Sequence, residues 1–109
     1  MGSPTELPHP AREAIALEDV LFALSDPERL EIVRQLRDGP MDAANCSASD
    51  PTMPKSTRSH RMKVLREAGV IRNEPNGRNR TLTLRREDLD ARFPGLLDAV
   101  LDAAPAATR

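Results

Sequence analysis

The hydrophobic period of this chain changes at Gly69, and that change constrains the fold more than any other feature of the sequence. Before it, over residues 55–68, a basic stretch places Met62 and Leu65 on one helical face, with Arg58 on the same side. After it, residues 70–73 and 80–84 read as extended, and Thr81-Leu82-Thr83-Leu84 alternates polar and apolar side chains like a half-buried strand. Asn76-Gly77 lies between the two runs and favours the tight turn of a β-hairpin. Gly69 itself suits a left-handed helix stop. A basic helix followed at once by a basic-tipped hairpin gives two adjacent cationic elements of different shape.

The flanking segments predict helices. In Ser25-Asp26-Pro27 the Asp26 side chain can accept from free first-turn amides, and Pro27 lacks the N–H that would otherwise be orphaned there. Leu30, Ile32, Val33 and Leu36 then form a buried stripe that Gly39-Pro40 ends. Residues 11–24 read as an earlier helix carrying Ile15, Val20, Leu21, Phe22 and Leu24. Residues 41–54 are the least legible: Ala43, Ala44 and Cys46 suggest a short helix, and Asp50-Pro51 with Pro54 a turn leading into the basic helix. Residues 86–92 predict a helical turn or two, Pro94 interrupts, and Leu96, Leu97, Val100 and Leu101 line a last helix. The expected organisation is a flexible arm over residues 1–12, one domain over 13–103 and a frayed tail over 104–109.

A chain of 109 residues is long enough for one core. Its apolar residues are mainly aliphatic, with two Phe and neither Trp nor Tyr, which suits thin helical packing and leaves no aromatic platform for stacking single-stranded bases. The net charge of −1 conceals a strong asymmetry. Residues 53–80 carry eight Lys or Arg against two acids, a net +6, whereas residues 1–52 carry four Arg against ten acids, a net −6. A basic segment of this kind is the usual electrostatic footprint on phosphate, although a solvated helix face has the same composition. Cys46 is the one cysteine and can form no internal disulfide. No apolar run approaches the ~20 residues that span a bilayer, and residues 1–10 lack a basic-then-apolar secretory signal. The expectation is a cytoplasmic protein without membrane contact. A phosphate-binding glycine loop, a nucleophile elbow and a metal-ligand cluster are all absent from the sequence, and His9 and His60 have no evident catalytic partners, so an enzyme is not expected.

The order of elements, together with the stretches Leu24-Ser25-Asp26-Pro27-Glu28-Arg29-Leu30-Glu31-Ile32-Val33 and Ser56-Thr57-Arg58-Ser59-His60-Arg61-Met62-Lys63-Val64-Leu65-Arg66-Glu67-Ala68-Gly69-Val70-Ile71, resembles the ArsR (arsenical-resistance repressor) regulators over roughly residues 20–84. The resemblance implies a mainly α fold with a small β-hairpin, a winged helix-turn-helix that dimerises through its terminal helices. It also implies a homodimeric repressor of transcription bound to double-stranded DNA, in a family where many members are released by metal ions and others by redox or other signals. Two departures stand out. Metal-sensing members carry paired cysteines before the recognition helix, or Asp and His ligands on the last helix; this chain has Cys46 alone and no His after His60, so neither a metal nor any other cofactor is implied. Arg58 stands where such recognition helices are usually apolar, and must snorkel or pair.

On this reading the N-terminal part of the basic helix enters the major groove. Lys55, Ser56, Ser59 and His60 are the expected base-edge contacts, and Thr57, Arg61 and Lys63 the expected phosphate contacts. Ser56 also reads as a capping residue, His60 as a plain exposed histidine, and Arg61 and Lys63 as solvated charges. Arg78 and Arg80 would grip the backbone or a narrow minor groove from the hairpin tip, pointing the same way if the strand runs through both; the alternative is a charged turn that protects an edge strand. Ile15, Val20, Leu21, Leu96, Leu97, Val100 and Leu101 are the expected dimer surface, or else the contacts of an intramolecular helix pair. Two-fold pairing predicts an inverted-repeat operator. Two other functions fit the same pattern: a winged-helix module for protein–protein contact, and a redox- or metal-gated sensor, Cys46 being either a buried small residue or an oxidisable thiol.

Overall fold

A computed structural model describes residues 7–43 and 54–103. Cys46 and most of the expected short helix and turn before the basic helix lie outside those residues, as does the tail from residue 104. The described residues form a short 3-10 turn (Arg12–Ala14), five α-helices and a three-stranded antiparallel sheet. The helices are α1 (Leu17–Leu24), α2 (Pro27–Leu36), α3 (Lys55–Glu67), α4 (Arg86–Arg92) and α5 (Leu96–Ala103), and the strands β1 (Met41–Asp42), β2 (Ile71–Asn76) and β3 (Asn79–Leu84).

The first helix differs from its expected extent. Residues 11–24 divide into the 3-10 turn and α1, because Ile15 and Ala16 are extended between them. The break turns Ile15 into the core, where it is 1% exposed and seats against Gly69. A β-carbon on Gly69 would stand 2.6 Å from Cγ1 of Ile15, so the glycine is required for space as well as for its φ of +87°. Gly69 ends α3 in a Schellman arrangement, the Val70 N–H donating to the Leu65 carbonyl and the Gly69 N–H to that of Arg66, each at 3.0 Å.

Helix α2 begins as its sequence dictates. Asp26 Oδ2 accepts from the Arg29 backbone N–H at 2.9 Å, and Pro27 occupies the first turn. The Arg29 side chain turns back to cap α1, donating to the carbonyls of Ala23 (2.8 Å) and Phe22 (2.9 Å). One residue therefore fixes the corner between the two helices.

The sheet order is β1-β3-β2. β1, a strand that residues 41–54 did not announce, pairs Met41 with Leu82 and Asp42 with Thr81. β2 and β3 form the hairpin, with Ile71 opposite Leu84 and Asn76 opposite Asn79. Ile15, Val20, Val33, Leu65, Val70, Ile71, Leu82 and Leu97 are the fully buried aliphatic residues at the centre, where α1, α2 and α3 pack on one another, α2 on β3, and α3 on β2.

The arm expected over residues 1–12 is docked from residue 8 onward. The Pro8 carbonyl accepts from Arg66 Nη1 at 2.6 Å, and that of Pro10 from Arg85 Nη1 at 2.7 Å. Arg12 donates from Nε to Asp88 at 2.7 Å. Asp88 also binds Arg85 (2.8 Å) and lies 3.7 Å from Arg72, joining the 3-10 turn, β2 and the start of α4. Among the described residues no helix is long and apolar enough to cross a membrane.

Candidate nucleic-acid interface

Helix α3 has two unlike sides. Leu65 and Arg66 are buried, and Arg58, Arg61, Met62 and Val64 are half-buried. Ser56, Ser59, His60, Lys63 and Glu67 are exposed, spaced at three or four residues along the opposite side. Lys55 opens the helix and Thr57 is half-buried in its first turn. Pro54 stands at the cap position and no side chain caps this end. Ser56 is thus exposed rather than folded onto the helix start. A helix end of this kind, with its first amides lacking side-chain acceptors, is one that a phosphate oxygen can satisfy.

The exposed charges are lightly held. Lys63 Nζ is 3.5 Å from Glu67 Oε2 one turn on, both side chains being more than half exposed, and such a pair contributes about 0.3–0.5 kcal/mol. Arg61, half-buried, lies 4.0 Å from Glu28 of α2 and links the two helices. Arg66, one of the eight basic residues of the segment, faces inward and binds the Pro8 carbonyl. Arg58 is half-buried, as its place beside Met62 and Leu65 required.

At the hairpin tip the loop is Gly77-Arg78, since Asn76 pairs with Asn79. Gly77 has φ +64° and no non-glycine residue has positive φ among the described residues, so the loop has the φ signs of a type II′ turn. The condition for a parallel Arg78–Arg80 pair is not met, because β3 starts only at Asn79. Arg78 is exposed in the turn, whereas Arg80 is half-buried and folds onto β2. Arg80 Nε donates to Asn73 Oδ1 at 2.5 Å and Nη2 to the Asn73 carbonyl at 2.9 Å. Asn73 is a buried polar residue at the root of this wing, and its own backbone N–H donates to His9 Nε2 at 3.0 Å. The sequence reading passed over Asn73 and gave His9 no partner. Asn73 had a signal, since two-residue alternation from the buried Ile71 carries it to the core side opposite Leu82.

The expected dimer residues divide into two groups. Ile15, Val20, Leu97 and Leu101 are 1–3% exposed within a single chain, covered by its own core. Leu96 and Val100 are half-buried, and Leu21 is 45% exposed. Beside Leu21 on α1, Leu17 (43%) and Phe22 (63%) are the other large apolar side chains left open to solvent among the described residues.

The family profile of the bacterial regulatory proteins of the arsR family matches residues 26–73, from the α2 cap through α3 into β2. The HTH-type transcriptional regulator NmtR of Mycobacterium tuberculosis is 32% identical over 94 residues, 86% of this chain and 74% of that protein. An uncharacterised HTH-type transcriptional regulator of Bacillus subtilis, YceK, is 30% identical over 74% of this chain and 82% of its own. The crystal structure of an ArsR family transcriptional regulator superposes with a TM-score of 0.63 at 26% identity, over 76% of this chain and 90% of the other. The repressor BigR of Xylella fastidiosa, 24% identical, shares the fold with a TM-score of 0.61 over 83% and 87% of the two chains. The basic helix, its wing and these matches together show that the chain belongs to the ArsR family of winged helix-turn-helix regulators, which are DNA-binding proteins of transcription rather than enzymes.

Proposed function

We propose that this regulator acts as a homodimeric repressor, with the α3 helices of two copies in successive major grooves of an inverted-repeat operator. The observation that carries the reading is the exposed row Ser56, Ser59, His60 and Lys63 at the open N-terminal half of α3, with the exposed Arg78 on the adjoining hairpin. Short hydroxyl and imidazole side chains suit base edges, and Lys63 and Arg78 suit phosphates. Leu17, Leu21 and Phe22 supply exposed apolar area on α1 for the second copy, and Leu96 and Val100 of α5 are half-buried. A small body seated on an operator acts most simply by excluding other proteins from it. A single cysteine per chain does not supply the paired thiolates of a cysteine-based metal site within one copy.

Selection of bound duplexes from a random pool tests this directly. The expected result is a palindromic motif whose half-sites lie about 10–10.5 base pairs apart, or a multiple of that. An asymmetric motif would remove the two-fold arrangement, and no enrichment at low salt would remove the DNA-bound role of α3.

A further inference from the structure

The docked segment before the 3-10 turn does more than cover the core. We propose that residues 8–10 form a proton-sensitive strap that positions the wing, with His9 and Asn73 as positioning residues and Arg80 as the side chain they set. Its consequence for DNA rests on the function proposed above; its structural part does not.

Three hydrogen bonds tie the strap to three separate places. The Pro8 carbonyl takes Arg66 of α3, His9 Nε2 takes the Asn73 N–H of β2, and the Pro10 carbonyl takes Arg85 before α4. Arg66, Asn73 and Arg85 are the buried polar residues of the described chain, and each makes one hydrogen bond to this one segment. The prolines on either side of His9 restrict the backbone to extended conformations, so little entropy is lost in presenting it. β2 is an edge strand, and His9 occupies an amide that would otherwise be open at that edge.

Asn73 carries the connection onward. Its N–H is held by His9 and its two oxygens by Arg80. Arg80 stands opposite Pro75 on β3, two residues from Arg78 in the turn. The orientation of the hairpin tip is therefore linked through one buried residue to the strap.

The bond at His9 requires a neutral ring. Nε2 accepts, so the ring proton resides on Nδ1; a second proton would set N–H against N–H. The charged groups facing His9 are Arg72 and Glu74 of β2, Arg66 of α3 and Arg85, three cations against one carboxylate. Burial first, and then Arg72 and Arg66, hold its pKa below the ordinary histidine value. The released strap therefore binds the proton more tightly than the docked one. The neutral ring's contribution to docking is fully present above about pH 6.5, the ordinary value, and weakens as the pH falls from there towards the lowered one.

The test is an acid titration of isotope-labelled protein by NMR, from about pH 7.5 to about 5.5, across the ordinary histidine value. His9→Gln offers a neutral acceptor that does not titrate, and His9→Ala removes the acceptor. In the native protein the Asn73 amide and the Arg80 Nε signal should move together with the His9 ring and lose exchange protection. In His9→Gln they should stay put, and in His9→Ala they should sit at the acid position throughout. Signals at Asn73 and Arg80 that ignore His9, or that titrate equally in His9→Gln, overturn the strap. On the selected duplex, native affinity should fall severalfold more over this range than that of His9→Gln, both proteins retaining His60. Equal losses overturn the link from strap to DNA. If no duplex binds at neutral pH, the function proposed above fails, while the NMR arm still decides the strap.

Discussion

At the scale of single residues, Ser59 and His60 differ from Arg78 in what their loss should do. If Ser59 and His60 meet base edges as proposed, Ser59→Ala or His60→Ala should change discrimination at one base pair by ~1–3 kcal/mol, read from duplex selections on each variant. If Arg78 meets only the DNA backbone as proposed, Arg78→Ala should weaken all duplexes alike and reduce the salt-dependence slope by about one. An unchanged selection motif in both α3 variants would remove them as readers, and an unchanged slope would remove Arg78 from the backbone contacts. What was legible at this scale follows the reach of each signal. The roles of Asp26 and Gly69 were plain because capping is decided by neighbours three or four residues away. Arg66 and His9 were not, since their partners lie 58 and 64 residues distant and no local pattern marks them. Arg80 read as a wing cation for the same reason: its fold-back onto Asn73 depends on the pairing of β2 with β3.

At the scale of elements, the sequence resolved α2, α3, the hairpin, α4 and α5, where capping or periodicity acts within one segment. It missed the break before α1, because Ile15 leaves the helix only to fill the space over Gly69. It also missed β1, two residues whose strand character comes from pairing with β3. Gly69→Ala tests the first of these junctions. The positive φ and the close Ile15 side chain should together cost about 1–3 kcal/mol, measured by chemical denaturation. Stability equal to the native protein would mean that the α3 stop and the Ile15 contact adapt freely. Asp88 tests a second junction. Its hydrogen bond from Arg12, and then those from Arg85, hold its carboxyl below the usual aspartate range despite partial burial. The stabilisation is thus present above the ordinary value of about 4 and lost as the pH falls through the lowered one. Asp88→Asn should flatten the acid limb of the stability–pH curve, and a limb of unaltered steepness would assign acid unfolding to other carboxylates.

At the scale of the whole molecule, Ile15, Val20, Leu97 and Leu101 are buried inside one chain, so the proposed homodimer rests on the exposed apolar side chains of α1. Leu21→Glu should shift sedimentation to the monomer, leave helix content unchanged and lower operator affinity strongly, because each half-site then binds alone. A variant that stays dimeric would move the interface elsewhere. The net charge of the chain says little about any of this, since the acidic first half and the basic middle segment cancel in the sum. The central claim is spatial: the open side of α3 and the tip of the wing meet the duplex together. Residue-resolved NMR during titration with a selected duplex measures that contact most directly. Amide shifts should concentrate at Ser56, Ser59, His60 and Lys63 and at Gly77-Arg78, with α4 unaffected. Shifts centred on α4 and sparing α3 would contradict the account.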